Sequence, residues 1–322
     1  MGEDGLSIAA SQEVAVQTTN LRKVYGKLVA VDDLCLSIPR GECYGLIGPN
    51  GAGKTTTLRM LATLLEPTDG LIRVLGHDAE EELTAVRRRI GFMPDDFGVY
   101  NELKVWEYLD YFATAYGVPK AQRRKRAHDV IELVDLQVKE EEMVEGLSRG
   151  MKQRLCLAKT LIHEPDVLLL DEPASGLDPL ARIEFRELLK ELVQLEKTIL
   201  ISSHILTELS DFCTSVGILE KGRLVVGGRI EDLLAKLKGA TTLHVEVVSG
   251  AQQLDALLNR HPRVRSHMVK NGAVAIEFDG TDDDIADLHG EVVRAGVRVK
   301  SFYEKRENLE DIFLKVGAYE VS

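Results

Sequence analysis

The sequence predicts an α/β fold, a parallel sheet covered by helices on both faces, followed by a small C-terminal α+β unit. Three observations carry this expectation. First, the short apolar run Cys43-Tyr44-Gly45-Leu46-Ile47 and the helical run Thr56 to Ala62 flank Gly48-Pro49-Asn50-Gly51-Ala52-Gly53-Lys54-Thr55. That octapeptide fits G-x-x-x-x-G-K-[ST] in its strand, loop, helix setting. Second, Asp166 to Leu170 and Thr198 to Ser202 are strands with continuous apolar centres, Val167 to Leu170 and Ile199 to Ile201, separated by a helical period from Pro179 to Leu195. Strands buried on both faces read this way. Third, strand Thr242 to Val248, helix Gln252 to Arg260, a hairpin around Asn271-Gly272, helix Asp282 to Arg294 and strand Val297 to Tyr303 give the order βαββαβ. That order is ferredoxin-like.

Taken from the N-terminus, residues 1–14 are small, polar and aperiodic, and are expected to be a mobile tail. Alternating segments such as Ala15-Val16-Gln17-Thr18 and Leu34-Cys35-Leu36-Ser37-Ile38 predict antiparallel strands leading to the octapeptide. Leu71 to Leu75 returns as a strand. Between about 96 and 150 the pattern changes to helical periods, Leu103 to Tyr116 and Gln122 to Leu136, which predicts a helical insertion. The α/β core resumes and runs to 228. Gly227-Gly228 marks its end, residues 229–240 are expected to be a linker, and 241–322 a C-terminal accessory domain closed by a helix from Asn308 to Val316.

A length of 322 residues allows about two domains, each with its own core. The formal net charge of -12 argues against a nucleic-acid surface, which would need Lys and Arg to neutralise phosphates. The basic runs Arg87-Arg88-Arg89 and Arg123-Arg124-Lys125-Arg126 read as solvated helix faces. Cys35, Cys43, Cys156 and Cys213 are too scattered for a metal site and fit thiols in a reducing compartment. No run of about 18 apolar residues exists, so the chain is not expected to cross a membrane itself.

The octapeptide carries the first chemistry. Its glycines bring backbone N–H groups close to phosphate oxygens, Lys54 adds a point charge, and the Thr55 hydroxyl can ligate Mg²⁺ at a helix N-terminus that continues into Thr56. Asp171 and Glu172 end the next buried strand, where open α/β sheets bind ligands. There an Asp can hold Mg²⁺ and a Glu can orient or deprotonate water; a solvated strand end carrying a helix cap is the other reading. Leu147-Ser148-Arg149-Gly150-Met151-Lys152-Gln153-Arg154 precedes that strand, Ser175-Gly176-Leu177-Asp178 follows it, and His204 closes the next. Taken alone, Ser148 is a helix N-cap and His204 a structural histidine.

Together these motifs resemble the nucleotide-binding subunit of an ATP-binding cassette (ABC) transporter, over about residues 16–228. The resemblance implies a P-loop NTPase core that binds ATP and Mg²⁺ and hydrolyses ATP with Glu172 as base. It implies that Ser148 and Gly150 form the signature segment, that Asp178 belongs to a loop crossing a dimer interface, that His204 contacts the γ-phosphate, and that Tyr25 stacks on adenine. It further implies a head-to-tail dimer with a second ATPase subunit, and a separate transmembrane permease that holds the chain on the inner face of the cell membrane. Phe97, Tyr100 and Trp106 would border the groove for that permease, although core packing also accounts for Trp106.

Two positions depart from the family pattern. Asp95 stands where the family has Gln, and is expected to keep a metal-sensing role through its hard oxygen. Arg149 replaces the first glycine of the signature and could contact phosphate, a partner, or solvent. The segment Glu307-Asn308-Leu309-Glu310-Asp311-Ile312-Phe313-Leu314 resembles the tail of export ATPases of the daunorubicin-resistance and sodium-efflux branch. The rival readings are a soluble ABC protein acting on ribosomes or DNA, and a catalytically idle regulatory cassette.

Overall fold

A computed structural model describes residues 13–205, 209, 212–237, 241–270 and 273–305. The first of its two units, Met1–Ile230, begins with β1 (Val14–Tyr25), β2 (Leu28–Pro39), β3 (Cys43–Ile47), α1 (Lys54–Leu61), β4 (Asp69–Val74), β5 (His77–Asp78), α2 (Leu83–Arg89) and β6 (Ile90–Met93). The helical insertion follows as α3 (Val105–Ala115) and α4 (Lys120–Leu133). Then come α5 (Arg149–Leu161), β7 (Val167–Asp171), α6 (Pro179–Gln194), β8 (Thr198–Ser203), β9 (Ser215–Glu220) and β10 (Arg223–Arg229), and α7 (Ile230–Leu237) begins at the unit boundary.

The central sheet has the order β10-β9-β3-β8-β7-β6, parallel except for the edge strand β10. Every residue of β3, β7 and β8 is buried, which is why these strands read as unbroken apolar runs. Register decides where the site lies. Ile47 pairs with Ser203 and Asp171 with Ser202, so the segments that follow β3, β7 and β8 leave the sheet at one end.

A second, antiparallel sheet, β2-β1-β4-β5, packs into the same core through Val16, Leu21 and Leu36 against Leu46, Leu58 and Leu169. Its strand β2 also clasps the loop after β3. Asp32 N–H donates to the Gly222 carbonyl at 2.9 Å, and Gly222 N–H donates to the Ala52 carbonyl at 2.9 Å. In the insertion, Tyr108 of α3 is fully buried with Phe112 edge-on at 4.9 Å. The expected helices 103–116 and 122–136 are thus shorter or shifted, the second beginning directly after Pro119, which has no N–H to give.

Two expected boundaries fall within regular structure. Of the tail assigned to residues 1–14, Val14 already lies in β1 and Glu13 pairs with Arg40 at 2.8 Å; residues 1–12 lie outside the described residues. Gly227-Gly228 is part of β10 and lies just before the division between the units after Ile230, with the Tyr44 hydroxyl 3.4 Å from where a Gly227 Cβ would stand. The expected linker, 229–240, therefore holds the end of β10 and α7, whose first turn carries Glu231 and Asp232 at the positive end of the helix dipole.

The second unit, Glu231–Ser322, continues with β11 (Thr241–Ser249), α8 (Ala251–Leu258), β12 (Val264–Lys270), β13 (Ala273–Phe278), α9 (Asp282–Arg294) and β14 (Arg298–Lys305). Its four antiparallel strands take the order β12-β13-β11-β14, the ferredoxin-like arrangement. Leu243, Val245, Ile276 and Phe278 meet Leu254, Leu288 and Val292 in its core. Asn271-Gly272 and the helix expected from Asn308 to Val316 lie outside the described residues.

Candidate active site

The loop after β3 is shaped by two glycines that tolerate no side chain. A Cβ on Gly48 would overlap the Leu219 carbonyl, and one on Gly53 (φ 105°) would overlap the Ala30 carbonyl of β2. Pro49, Asn50 and Gly51 are exposed, Ala52 is buried, and Thr55 and Thr56 are half-buried in the first turn of α1. No side chain caps α1 and its first turn holds no acid, so its N-terminal N–H groups are left for an anion.

Lys54 is 6% exposed. Its Nζ donates to the Gly48 carbonyl at 2.7 Å and to the Pro49 carbonyl at 3.3 Å, and lies 3.3 Å from Glu172 Oε1. The buried Asp171 accepts from Thr55 Oγ1 at 3.2 Å and from Ser202 Oγ at 2.7 Å. The same Ser202 oxygen accepts from the Glu172 N–H at 2.9 Å. His204 Nδ1 meets Glu172 Oε2 at 2.8 Å. Glu172 thus stands between two nitrogen groups, with its backbone at φ 47°, a region that costs a non-glycine residue energy and is retained where surrounding contacts enforce it.

Thr55, Asp171, Glu172, His204 and Lys54 are therefore joined in one hydrogen-bonded network. Ser202 is the link that sequence reasoning missed; its signal was a polar residue closing the apolar run Thr198 to Ile201. Gln153 was missed as well. It is buried and donates through Nε2 to the Pro173 carbonyl, tying α5 to the segment after Glu172.

Ser148 N-caps α5, its Oγ accepting from the Met151 N–H at 3.3 Å, and Gly150 lies in the first turn facing Leu177 and Ala181. Asp178 caps α6, with Oδ1 accepting from the Leu180 and Ala181 N–H groups at 3.0 Å each and Pro179 next in sequence. Arg149 does what none of the sequence alternatives foresaw. Its guanidinium lies where a Cβ on Gly176 would be, and Nη2 donates to the Ser175 carbonyl at 3.3 Å.

Asp95 follows β6, whose Met93 pairs with Leu170 just before Asp171. Partial burial, then the charges of Asp171, Glu172 and Asp96, push its carboxyl above the usual range, while Arg149 pulls it back. Tyr25 lies outside the hydrogen-bonded network, 47% exposed at the end of β1 with the Lys23 ammonium 5.4 Å from its ring. Exposed Tyr100 and Tyr111 meet edge-on at 5.4 Å. Phe97 is half-buried. Trp106 is also half-buried rather than core, with Arg124 4.2 Å above its ring.

The basic runs are less free than solvated faces would be: Arg87 bonds Thr63, Arg89 bonds Asp166, Arg124 bonds Glu140 and Glu141, and Arg126 bonds the last carbonyls of α5. Cys43, Cys156 and Cys213 are buried thiols, and Cys35 is exposed. Among the described residues, no group of three or more His, Cys, Asp or Glu could hold a metal by itself. The Thr55 hydroxyl and Asp171 carboxylate are a two-oxygen set that suits a hard cation arriving with phosphate oxygens. Among the described residues, no helix is long and apolar enough to cross a membrane.

A glycine-shaped loop on a helix N-terminus, with a buried lysine and a carboxylate pair closing the neighbouring strand, defines a P-loop nucleoside triphosphatase. The comparisons specify it further. The family described as "ABC transporter" matches residues 31–175, and "ATP-binding protein DrrA1-3-like, C-terminal domain" matches 228–316. The chain is 34% identical to the Nod factor export ATP-binding protein I of Cupriavidus metallidurans over 95% of this chain and 98% of that one. It is 30% identical to the linearmycin resistance ATP-binding protein LnrL of Bacillus subtilis over 94% and 97%. The ATP-binding cassette MJ0796, solved as a dimer in a post-hydrolysis state with ADP and Pi, superposes with TM-score 0.61 at 27% identity, covering 66% of this chain and 98% of that one. The chain belongs to the ABC transporter family, as an ATP-binding subunit of the export branch, and is an ATPase.

Proposed function

We propose that two copies of this chain close head-to-tail over two Mg-ATP molecules, and that closure and hydrolysis drive export through a separate membrane-embedded permease. The observation that carries this reading is the Glu172 carboxylate, fixed on a strained backbone between Lys54 and His204 at 3.3 and 2.8 Å. Lys54 exchanges its loop carbonyls and Glu172 for the outer phosphates, which frees Glu172 to accept a proton from water. The loop N–H groups of Gly48 to Thr56 hold the phosphate chain, and Thr55 and Asp171 hold Mg²⁺. When bound, that ion neutralises charge developing on the phosphates. Ser202 keeps Asp171 turned toward Thr55.

The other face of each nucleotide is completed by Ser148 and Gly150 of the second copy, whose helix start presents N–H groups to an anion. Asp178 orders the turn that meets the partner, His204 donates to the γ-phosphate, and Tyr25 supplies an exposed ring for adenine. Asp95 offers an oxygen near the metal. Exposed Tyr100 and Tyr111 are the apolar surface offered to the permease, which holds the ATPase on the cytoplasmic face of the membrane. Relatives named for Nod factor export and linearmycin resistance support export as the direction of transport.

Gel filtration of Glu172→Gln tests the core of this reading. With Mg-ATP the variant elutes as a dimer, and with Lys54→Ala added it elutes as a monomer. An E172Q chain that stays monomeric at saturating Mg-ATP overturns the closed homodimer.

A further inference from the structure

The two departures from the family pattern, Asp95 and Arg149, look unrelated in the sequence, 54 positions apart. In the fold Arg149 meets the turn that follows β7. Arg149 is the first residue of α5 and lies between the proposed phosphate contacts Ser148 and Gly150. Its guanidinium does not point to a phosphate position of its own subunit's loop but lies flat on Gly176, with Nη2 on the Ser175 carbonyl at 3.3 Å. Gly176 has φ 71° and no Cβ, so the turn leaves the space that the planar group fills.

We propose that Arg149 is a positioning residue that clamps the Ser175–Gly176 turn to the start of α5, so that the two segments meant for a second copy are set in register before it arrives. The idea rests on the closed-dimer reading above. Three further contacts converge on this junction. Gln153, one turn along α5, holds the Pro173 carbonyl. Gly150 packs on Leu177 and Ala181, and Asp178 caps α6 directly after the turn. Without Arg149, Ser175 and Gly176 lose their contact with α5 while Pro173 and Leu177 keep theirs. A glycine at 149 would leave the turn without this contact.

A clamp that acts before closure affects assembly more than chemistry. Arg149→Gly is expected to raise the half-saturating ATP concentration, and the protein concentration giving half-maximal specific activity, about fivefold, the scale of one lost hydrogen bond. The maximal rate changes less than either. Arg149→Lys, which reaches Ser175 but cannot lie flat, recovers part of the loss.

The decisive arm is a double-mutant cycle with Gly176→Ala, whose methyl would displace the guanidinium. Each single substitution weakens half-saturation, but the double variant is no worse than the worse single one, because removing Arg149 makes room for the methyl. Losses that multiply overturn the clamp while leaving the ATPase reading intact, and a wild-type chain that neither binds nor hydrolyses ATP overturns both. A maximal rate that falls as far as half-saturation rises also overturns it, since Arg149 would then act on the chemical step. Unfolding midpoints of all variants, read in parallel, separate these outcomes from simple destabilisation.

Discussion

The two units both lay helices on a sheet, yet they treat polar groups in opposite ways. Among the described residues, every polar or charged residue that is buried as a whole belongs to the first unit, Lys54, Asp171, Ser202 and Ser203 among them. The core of the second is apolar throughout, from Leu243 to Val297. Part of the difference follows from the parallel sheet, although Thr18 of the antiparallel β1 is buried too. A parallel sheet covered on both faces can accept polar groups where its strands end together, and β3, β7 and β8 end together. Burial there is tolerated because each group is partnered: Asp171 by Thr55 and Ser202, Lys54 by carbonyls and Glu172. The antiparallel sheet of the second unit has no such shared edge and carries only packing.

Substitutions that remove chemistry without packing, and the reverse, put this contrast at risk. Glu172→Gln is nearly isosteric and should lower the maximal hydrolysis rate by at least about 100-fold, with the unfolding midpoint held within a few degrees. A variant that kept more than a tenth of the rate would remove Glu172 from the base role. The counterpart in the second unit is Phe278→Ala, which empties a fully buried site and should cost about 3–5 kcal/mol. The single tryptophan, Trp106, lies in the first unit, so its fluorescence follows that unit alone while far-ultraviolet circular dichroism follows both. In denaturant, Phe278→Ala should move part of the dichroism transition and leave the fluorescence transition in place. Coincident shifts would show that the units unfold together.

Legibility in the sequence follows the same division. Residues whose type is demanded by backbone geometry or by a strand end could be read directly: Gly48 and Gly53, where a Cβ would meet a carbonyl, and Asp171, at the end of a fully apolar strand. The βαββαβ order of the second unit was equally plain, because alternation and helical period are local properties. What stayed hidden depends on tertiary neighbours. Ser202 looked like a strand terminus until pairing with Asp171 placed its hydroxyl between two carboxyl-bearing residues. Gly227 read as punctuation because a tertiary reason for glycine there, the Tyr44 hydroxyl 3.4 Å from where its Cβ would stand, comes from a strand distant in sequence. Arg149 could not be assigned because its partner turn lies across the β7 segment.

Ser202→Ala sharpens the contrast at intermediate size. The alanine methyl fits the same space, but Asp171 loses a donor and the strained Glu172 N–H loses its acceptor. Stability of the first unit should fall by about 2 kcal/mol and the maximal rate by about tenfold, measured on the same preparation. Loss of stability with an unchanged rate would make Ser202 a packing residue of the kind that fills the second unit.

The smallest effects come from matched helix caps, one in each unit. Thr281 caps α9 in a reciprocal arrangement, its Oγ1 accepting from the Asp284 N–H while Asp284 Oδ2 accepts from the Thr281 N–H at 2.9 Å. Asp178 caps α6 with two bonds of 3.0 Å. Replacing either by Ala should cost about 1 kcal/mol. Thermodynamically the two substitutions are alike, so any difference between them reports position. Thr281→Ala should lower only the dichroism phase belonging to the second unit, with ATP saturation unaltered. Asp178→Ala should lower the fluorescence transition and also raise the half-saturating ATP concentration, because the cap is the last fixed point of the turn that Arg149 holds from its other side. Equal silence of both variants in the ATP titration would mean that the turn after Glu172 is held without its cap, and that the junction with α5 alone sets its position.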